Sequence, residues 1–269
     1  MIRNDIAALW FGGKRITMKY KVIPLLLCPV LAYGKDITHI STYEDNYVLG
    51  TYTTDINQSA YSEMGSEMDS LQDFEVKFQI SASIPFYRFS SGTALMGAYT
   101  QKSLWQLANS DISSPFRETN YKPQVFLAHQ SNMLLFNHVE AGYKHESNGQ
   151  SSKLSRSWDR LYVAAERFSG PVEYGVHAWW VITTENDDME NYYAPYELWA
   201  KVYTHAGVVN TRGFYNFADD KGGVELGYTF YFNDILGVYL QGYHGYGETL
   251  IDYDHSQTRV GLGIKLMNL

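Results

Sequence analysis

Cysteine is almost missing from this chain of 269 residues: Cys28 is the single one, so disulfide and thiol chemistry have little material to work with. Long apolar runs are scarce as well, and a mean hydropathy of −0.30 excludes a bundle of membrane-spanning helices. Basic residues are outnumbered, 21 Lys and Arg against 29 Asp and Glu. That balance argues against nucleic acid as a partner. A helical period is absent too, as are internal repeats, low-complexity tracts and linkers, which leaves one domain as the simplest organisation.

The one short apolar stretch lies near the start. Residues 19–34 have a basic beginning, the run Leu25-Leu26-Leu27, and a small-x-small end at Ala32 and Gly34. These are the parts of a signal peptide, too short to span a bilayer as a helix. Met18 then reads as the translation start, residues 1–34 as extension plus leader, and 35–269 as a single domain. Cys28 falls inside the leader. Removing residues 1–34 removes five basic residues and one acidic one, and takes the formal charge from −8 to −12.

What the chain has in quantity is aromatic side chains, 16% of residues with 23 Tyr, set in runs of about ten residues that alternate in polarity. Val260, Leu262, Ile264 and Leu266 alternate with Gly261, Gly263 and Lys265; Val224, Leu226, Tyr228 and Phe230 alternate with Glu225, Gly227 and Thr229. Twelve such runs are expected: 46–55, 74–85, 93–105, 123–129, 133–145, 157–168, 172–182, 196–209, 213–217, 223–232, 236–247 and 257–267. Short turns such as Ser169-Gly170 alternate with long connections such as 110–122 and 184–195. An all-β, twelve-stranded antiparallel transmembrane barrel of the outer membrane accounts for alternation, Tyr load and leader together. A soluble β-sandwich accounts for the alternation alone.

The chemistry concentrates between Tyr143 and Tyr162. His145 and Ser147 are two residues apart, so on a strand they share a face. Asp159 follows twelve residues after Ser147, enough for the chain to turn and return as the neighbouring antiparallel strand, where a carboxylate can orient the imidazole. Base, nucleophile and orienting acid are then present together. Counting back from His145 by twos gives Tyr143, Ala141 and Val139; counting forward from Asp159 gives Leu161, Val163 and Ala165. The trio lies on the apolar face, which in a membrane barrel meets lipid. The remaining histidines, among them His129, His177, His205 and His244, read as rim, lumen or packing residues. Trp158, Trp179, Trp180 and Trp199 read as interface-belt aromatics.

His145-Glu-Ser147-Asn-Gly149 with Ser155-Arg-Ser157-Trp-Asp159-Arg-Leu-Tyr162, the upstream run from Ser113 to Gln124, and the late runs Gly245 to Tyr253 and Gln257 to Gly261 resemble outer-membrane phospholipase A. The likeness covers nearly the whole chain after the leader. It implies a twelve-stranded barrel that hydrolyses sn-1 and sn-2 acyl esters of phospholipids and of lysophospholipids. The resemblance further implies a calcium cofactor and a homodimer as the active form. By position, Ser147 resembles the nucleophile, His145 the base and Asp159 the orienting group, where the family's familiar member carries Asn. The Gly149 N–H resembles the oxyanion donor. For calcium, Ser155 resembles a hydroxyl ligand, Gln150 a backbone-carbonyl ligand, Ser113 the partner subunit's contribution and Asp187 a second position. Gln101 resembles a polar dimer contact. The rival reading is a catalytically inactive porin-like or structural barrel; a soluble secreted esterase is a third.

Overall fold

The structure is a computed structural model that describes residues 39–64, 71–89, 91–131 and 135–267. The leader, the start at Met18 and Cys28 lie outside the described residues, as does the head of the run expected from Met133.

Twelve antiparallel strands close into a barrel in simple sequence order. They are β1 (Asn46–Thr53), β2 (Phe74–Arg88), β3 (Thr93–Trp105), β4 (Phe116–Gln130), β5 (His138–Ser147), β6 (Ser157–Arg167), β7 (Val172–Thr184), β8 (Tyr196–Tyr203), β9 (Gly207–Asn216), β10 (Lys221–Tyr231), β11 (Leu236–Gly245) and β12 (Gln257–Leu266). Closure comes from β1 against β12, in register from Asn46↔Leu266 to Thr53↔Arg259. No helix among the described residues is long and apolar enough to cross a membrane.

The alternation behaves as its period of two requires. On β12, Val260, Leu262 and Ile264 are exposed, whereas Gln257, Arg259, Gly261 and Lys265 are buried. Apolar side chains point out and polar ones in, the inverse of a soluble core. Trp158, Trp179 and Trp199 depart from the expected aromatic belt. Trp158 is 2% exposed, and Trp179 and Trp199 line the lumen. Of the four, Trp180 faces outward, at 63% exposure. The register decides this, because Trp158 has the opposite parity from Asp159.

Two boundaries differ most from the sequence expectation, and β5 runs from His138 to Ser147 where 133–145 is expected. The run 196–209 is two strands, with the turn at 204–206 instead of 210–212. Thr204 makes that turn without the usual Gly or Pro: its hydroxyl donates to the Gly207 carbonyl at 2.8 Å and accepts from the Gly207 N–H at 3.1 Å. Strand β4 begins at Phe116, seven residues before the expected start at Pro123. Proline has no N–H to donate, and the ladder from β4 to β5 skips Lys122 and Pro123, between the pairs Tyr121↔Ser147 and Gln124↔Lys144.

A bulge on β4 fills the lumen. Leu104 faces Glu118 but Trp105 faces Phe116, so Arg117 is the extra residue and both it and Glu118 point inward. Arg117 clamps two acids: Nε and Nη2 reach Glu75 at 2.7 and 3.2 Å, and Nη1 and Nη2 each reach Asp252 at 3.1 Å. Arg259 joins Glu248 at 2.8 Å and Glu75 at 2.9 Å, and Lys77 joins Glu248 at 2.8 Å. Three cations and three anions balance, all with side chains no more than 1% exposed. Burial favours the neutral Glu248 carboxyl, but Lys77 and Arg259 outweigh it and hold that group well below the ordinary carboxylate range. This network anchors the 246–256 connection inside the barrel mouth, with Glu248, Leu250, Ile251 and Asp252 all buried. The long-loop end is plugged by the chain itself.

Arg117→Ala leaves Glu75 and Asp252 buried without their shared cation. We expect it to cost about 3–5 kcal/mol of stability. Urea unfolding of the refolded barrel, followed by heat-modifiable gel mobility, checks this.

Candidate active site

His145 and Ser147 close β5 at its long-loop end, and Ser157 and Asp159 open β6. The register places His145 directly opposite Asp159 and Ser147 opposite Ser157. Chain return therefore delivers the acid to the base, as the spacing anticipates. His145 Nδ1 lies 2.7 Å from Asp159 Oδ1, with side chains 37% and 22% exposed. Nδ1 carries the proton in that contact, which leaves Nε2 free to accept one. Ser147 shares the outward face with His145 and is half-buried; no hydrogen bond joins the two in this structure.

The surrounding backbone is irregular on both sides. The skipped pairs of the β4–β5 ladder fall opposite His145 and Glu146. On the far side β6 and β7 slip between Asp159↔Thr183 and Arg160↔Val181, leaving Ile182 unpaired. The β4–β5 ladder keeps its register across that gap, whereas the β6–β7 slip is a bulge, which re-aims side chains next to Asp159.

Two groups in the site were not legible as such. Tyr143 reads in the sequence as one more apolar-row residue, yet its hydroxyl donates to Asp159 Oδ1 at 2.5 Å, the same oxygen that His145 meets. Its place two residues before His145 on the same face was the available signal. Asp159 thereby accepts from both neighbours, which a carboxylate oxygen can do through its two lone pairs. Asn148 is the second. Only 3% exposed, it donates to the Leu154 carbonyl at 2.8 Å and accepts from the Arg156 N–H at 3.0 Å and the Gln150 N–H at 3.2 Å. It fixes the β5–β6 connection from within, aided by Leu154, which packs against Ile56, Tyr61 and Ile251.

That connection carries the remaining candidates. Gly149 sits at φ +65°, and a Cβ there would stand 3.1 Å from the Tyr121 ring, so both backbone and space favour glycine. Gln150 is exposed, and the Ser155 hydroxyl donates to Glu185 Oε2 at 2.5 Å. Glu185 is thus the member of the acidic 185–188 loop that meets Ser155; Asp187 is exposed in the same loop. The donors at Ser155 are all oxygen, which suits a hard cation such as calcium. Ser113 is exposed and left-handed, at φ 63° and ψ 30°, in the β3–β4 connection. Gln101 lies on β3, where its Oε1 accepts from the Tyr99 hydroxyl at 3.1 Å and its Nε2 donates to Ser103 Oγ at 3.3 Å.

A closed barrel with an apolar exterior, on which a histidine–aspartate pair stands beside a serine, defines an integral outer-membrane β-barrel with polar side chains gathered on its lipid-facing side. Comparison with known proteins gives the particular family. The Phospholipase A1 family model matches residues 32–266, and the chain belongs to that family. Phospholipase A1 of Escherichia coli K12 is 42% identical over 237 residues, covering 84% of this chain and 81% of its relative. A putative phospholipase A1 of Neisseria meningitidis is 34% identical over 211 residues, covering 72% of this chain and 55% of its relative. Among solved structures, outer membrane phospholipase A from Escherichia coli superposes with a TM-score of 0.82 at 39% identity, covering 85% of this chain and 98% of the other. The outer membrane phospholipase dimer of Salmonella typhi with bound calcium gives the same TM-score and identity, covering 85% and 92%. The chain is an outer-membrane phospholipase A1, a carboxylic ester hydrolase of phospholipids.

Tyr143→Phe keeps the His145–Asp159 contact and removes one hydrogen bond to a charged oxygen. It is expected to lower kcat by about tenfold, whereas Asp159→Ala, which frees the imidazole, lowers it by about 10³-fold or more. Steady-state kinetics on detergent-dispersed phospholipid separate the two.

Proposed function

We propose that this phospholipase A1 acts by acyl transfer to Ser147 on the lipid-facing surface, with His145 as base and Asp159 as its orienting group. The observation that carries the reading is the 2.7 Å His145–Asp159 contact on the outward face of adjacent strands. Phospholipid ester bonds reach that face from the side, at the level of the long-loop rim.

Ser147 Oγ attacks the ester carbonyl as its proton passes to His145 Nε2. The proton then goes to the departing glycerol oxygen, and lysophospholipid leaves. Water, deprotonated through the same Nε2, cleaves the acyl-Ser147 ester and releases fatty acid. Asp159 keeps the imidazole in the productive tautomer and stabilises its cationic form, while the Gly149 N–H faces the oxygen on which charge develops. Because the face is open to lipid along its length, sn-1 esters, sn-2 esters and lysophospholipids are all within its reach.

Ser155, Glu185 and the Gln150 carbonyl are the oxygen donors that would hold calcium, with Asp187 as a second position. When bound, calcium supplies positive charge for the developing oxyanion. Few carboxylates stand here, so one chain alone holds the ion weakly. Ser113 of the partner subunit completes the ligands, and Gln101 contributes a polar contact where a side chain in lipid needs a partner. Association and activity are thereby linked. The calcium-bound dimer of the Salmonella typhi relative supports this. A leader over residues 1–34 delivers residues 35–269 as one domain to the outer membrane; the N-terminal sequence of membrane-extracted barrel reads the cleavage point.

The deciding measurement is fatty-acid release by refolded protein in dimer-promoting detergent, with calcium or with EDTA. Wild type is expected to be active with calcium only, and Ser147→Ala to lose about 10³-fold or more. Equal rates for the two proteins would sink the assignment of the nucleophile; equal rates in calcium and EDTA would sink the cofactor.

A further inference from the structure

At the opposite end of β5 from Ser147, and on its inward face, three metal-ligating side chains converge. His138 Nε2 lies 3.0 Å from Glu140 Oε1 and 3.9 Å from Glu166 Oε2. One ligand atom from each residue lies within 4.8 Å of the other two. The place is partly closed: Glu140 and Glu166 are each 7% exposed, the His138 side chain is 14% exposed, and all three border the lumen cavity of about 510 Å³. His138 and His145 are seven residues apart along a strand, about 23 Å, and point to opposite faces. This cluster is separate from the ester-cleaving site.

The neighbours hold each carboxylate by its other oxygen. Glu140 Oε2 accepts from the Tyr43 hydroxyl at 2.8 Å and the Tyr162 hydroxyl at 3.2 Å, which leaves Oε1 turned toward His138. Glu166 Oε1 meets His177 Nε2 at 2.7 Å and the Trp199 indole N–H at 3.2 Å, which leaves Oε2 turned toward His138. On the ring itself, Nε2 faces the carboxylates and Nδ1 lies 3.2 Å from the Gln130 amide nitrogen; a metal on Nε2 puts the ring proton on Nδ1, and the Gln130 amide accepts it once its oxygen is turned to the ring. Outer partners that fix the orientation of ligands in this way are the usual companions of a metal centre.

Charge points the same way. Two carboxylates are buried side by side, and the partners described above are imidazoles, phenols and an indole. Such a pair needs positive charge, from protons on the imidazoles or from a cation. One nitrogen and two carboxylate oxygens match zinc better than calcium or magnesium, which prefer all-oxygen shells. Tetrahedral zinc sets its ligand atoms about 3.3 Å apart, so around the ion the His138–Glu140 pair opens from 3.0 Å and the His138–Glu166 pair closes from 3.9 Å. The cavity side leaves a fourth position for water.

We propose that His138, Glu140 and Glu166 form a zinc-binding site inside the barrel near its short-turn rim, with Tyr43, Tyr162, His177 and Trp199 orienting the ligands. The ion links β5 and β6 to one another and, through Tyr43, to the segment that leads into β1.

The test uses refolded full-length barrel saturated with calcium, then titrated with zinc chloride against a chromophoric chelator. Wild type should retain one zinc per chain through gel filtration, and cobalt in its place should show the visible bands of a four-coordinate ion. His138→Gln and Glu166→Gln should each weaken zinc by at least about 100-fold, and Tyr43→Phe by about tenfold, while His145→Gln binds as wild type does. Wild type that keeps no zinc and shows no such cobalt bands would overturn the proposal, leaving a proton-bridged cluster. Zinc retained by both ligand variants, or lost in His145→Gln, would overturn it equally. The wild-type cobalt spectrum decides even where a variant fails to fold.

Discussion

The constraint on which everything else rests is that lipid offers no hydrogen bonds to a backbone. A strand in that setting must pair on both edges, so the sheet has to close, and β1 against β12 closes it from Asn46 to Thr53. Closure then sorts the side chains, since a period of two leaves one face for lipid and one for a lumen. It also explains where irregularity is allowed. Pro123, which cannot donate, sits where the β4–β5 ladder is already broken.

A lumen too polar for an apolar core is filled at its long-loop end with paired charge. Near the long-loop rim, Glu75, Lys77, Arg117, Glu248, Asp252 and Arg259 compensate one another at separations of 2.7–3.1 Å. Ion pairs of this kind gain little over apolar packing, but removing one partner strands the other, which makes the network demanding of geometry. Its product is a rigid rim with the 246–256 connection folded inward. The β5–β6 connection that carries Gly149, Gln150 and Ser155 rests on that plug: Asn148 holds it, and Leu154 packs on Ile251. The interior thus supports a site on the exterior.

The location of that site fits its chemistry. A phospholipid ester buried among acyl chains is accessible from the side of the barrel, and His145, Ser147 and Asp159 stand there among Tyr143 and Leu161, which are 37% and 51% exposed. Asp159 meets two donors there, Tyr143 and His145, on a single oxygen. A carboxylate oxygen accepts from both at once through its two lone pairs.

The fold class, the outward face and the meeting of His145 with Asp159 were legible because they depend on local order: parity along a strand, and a spacing that allows one tight return. Strands with clean alternation, such as β12, could be placed from their residues alone. Boundaries failed where a single side chain did the work of a turn, as Thr204 does, or where a strand ran through proline, as β4 does. The phenol on Asp159, the carboxylate of Glu185 on Ser155, and the convergence of His138, Glu140 and Glu166 could not be read the same way. Each depends on which oxygen or nitrogen faces which neighbour. For His138 and Glu166 that is set by the pairing of β5 with β6 across 28 positions of sequence. Sequence determined which residues lie on which face, because the peptide's own geometry imposes the period; only the closed barrel decided which of them meet, because register, bulge and cross-strand distance are properties of the paired sheet.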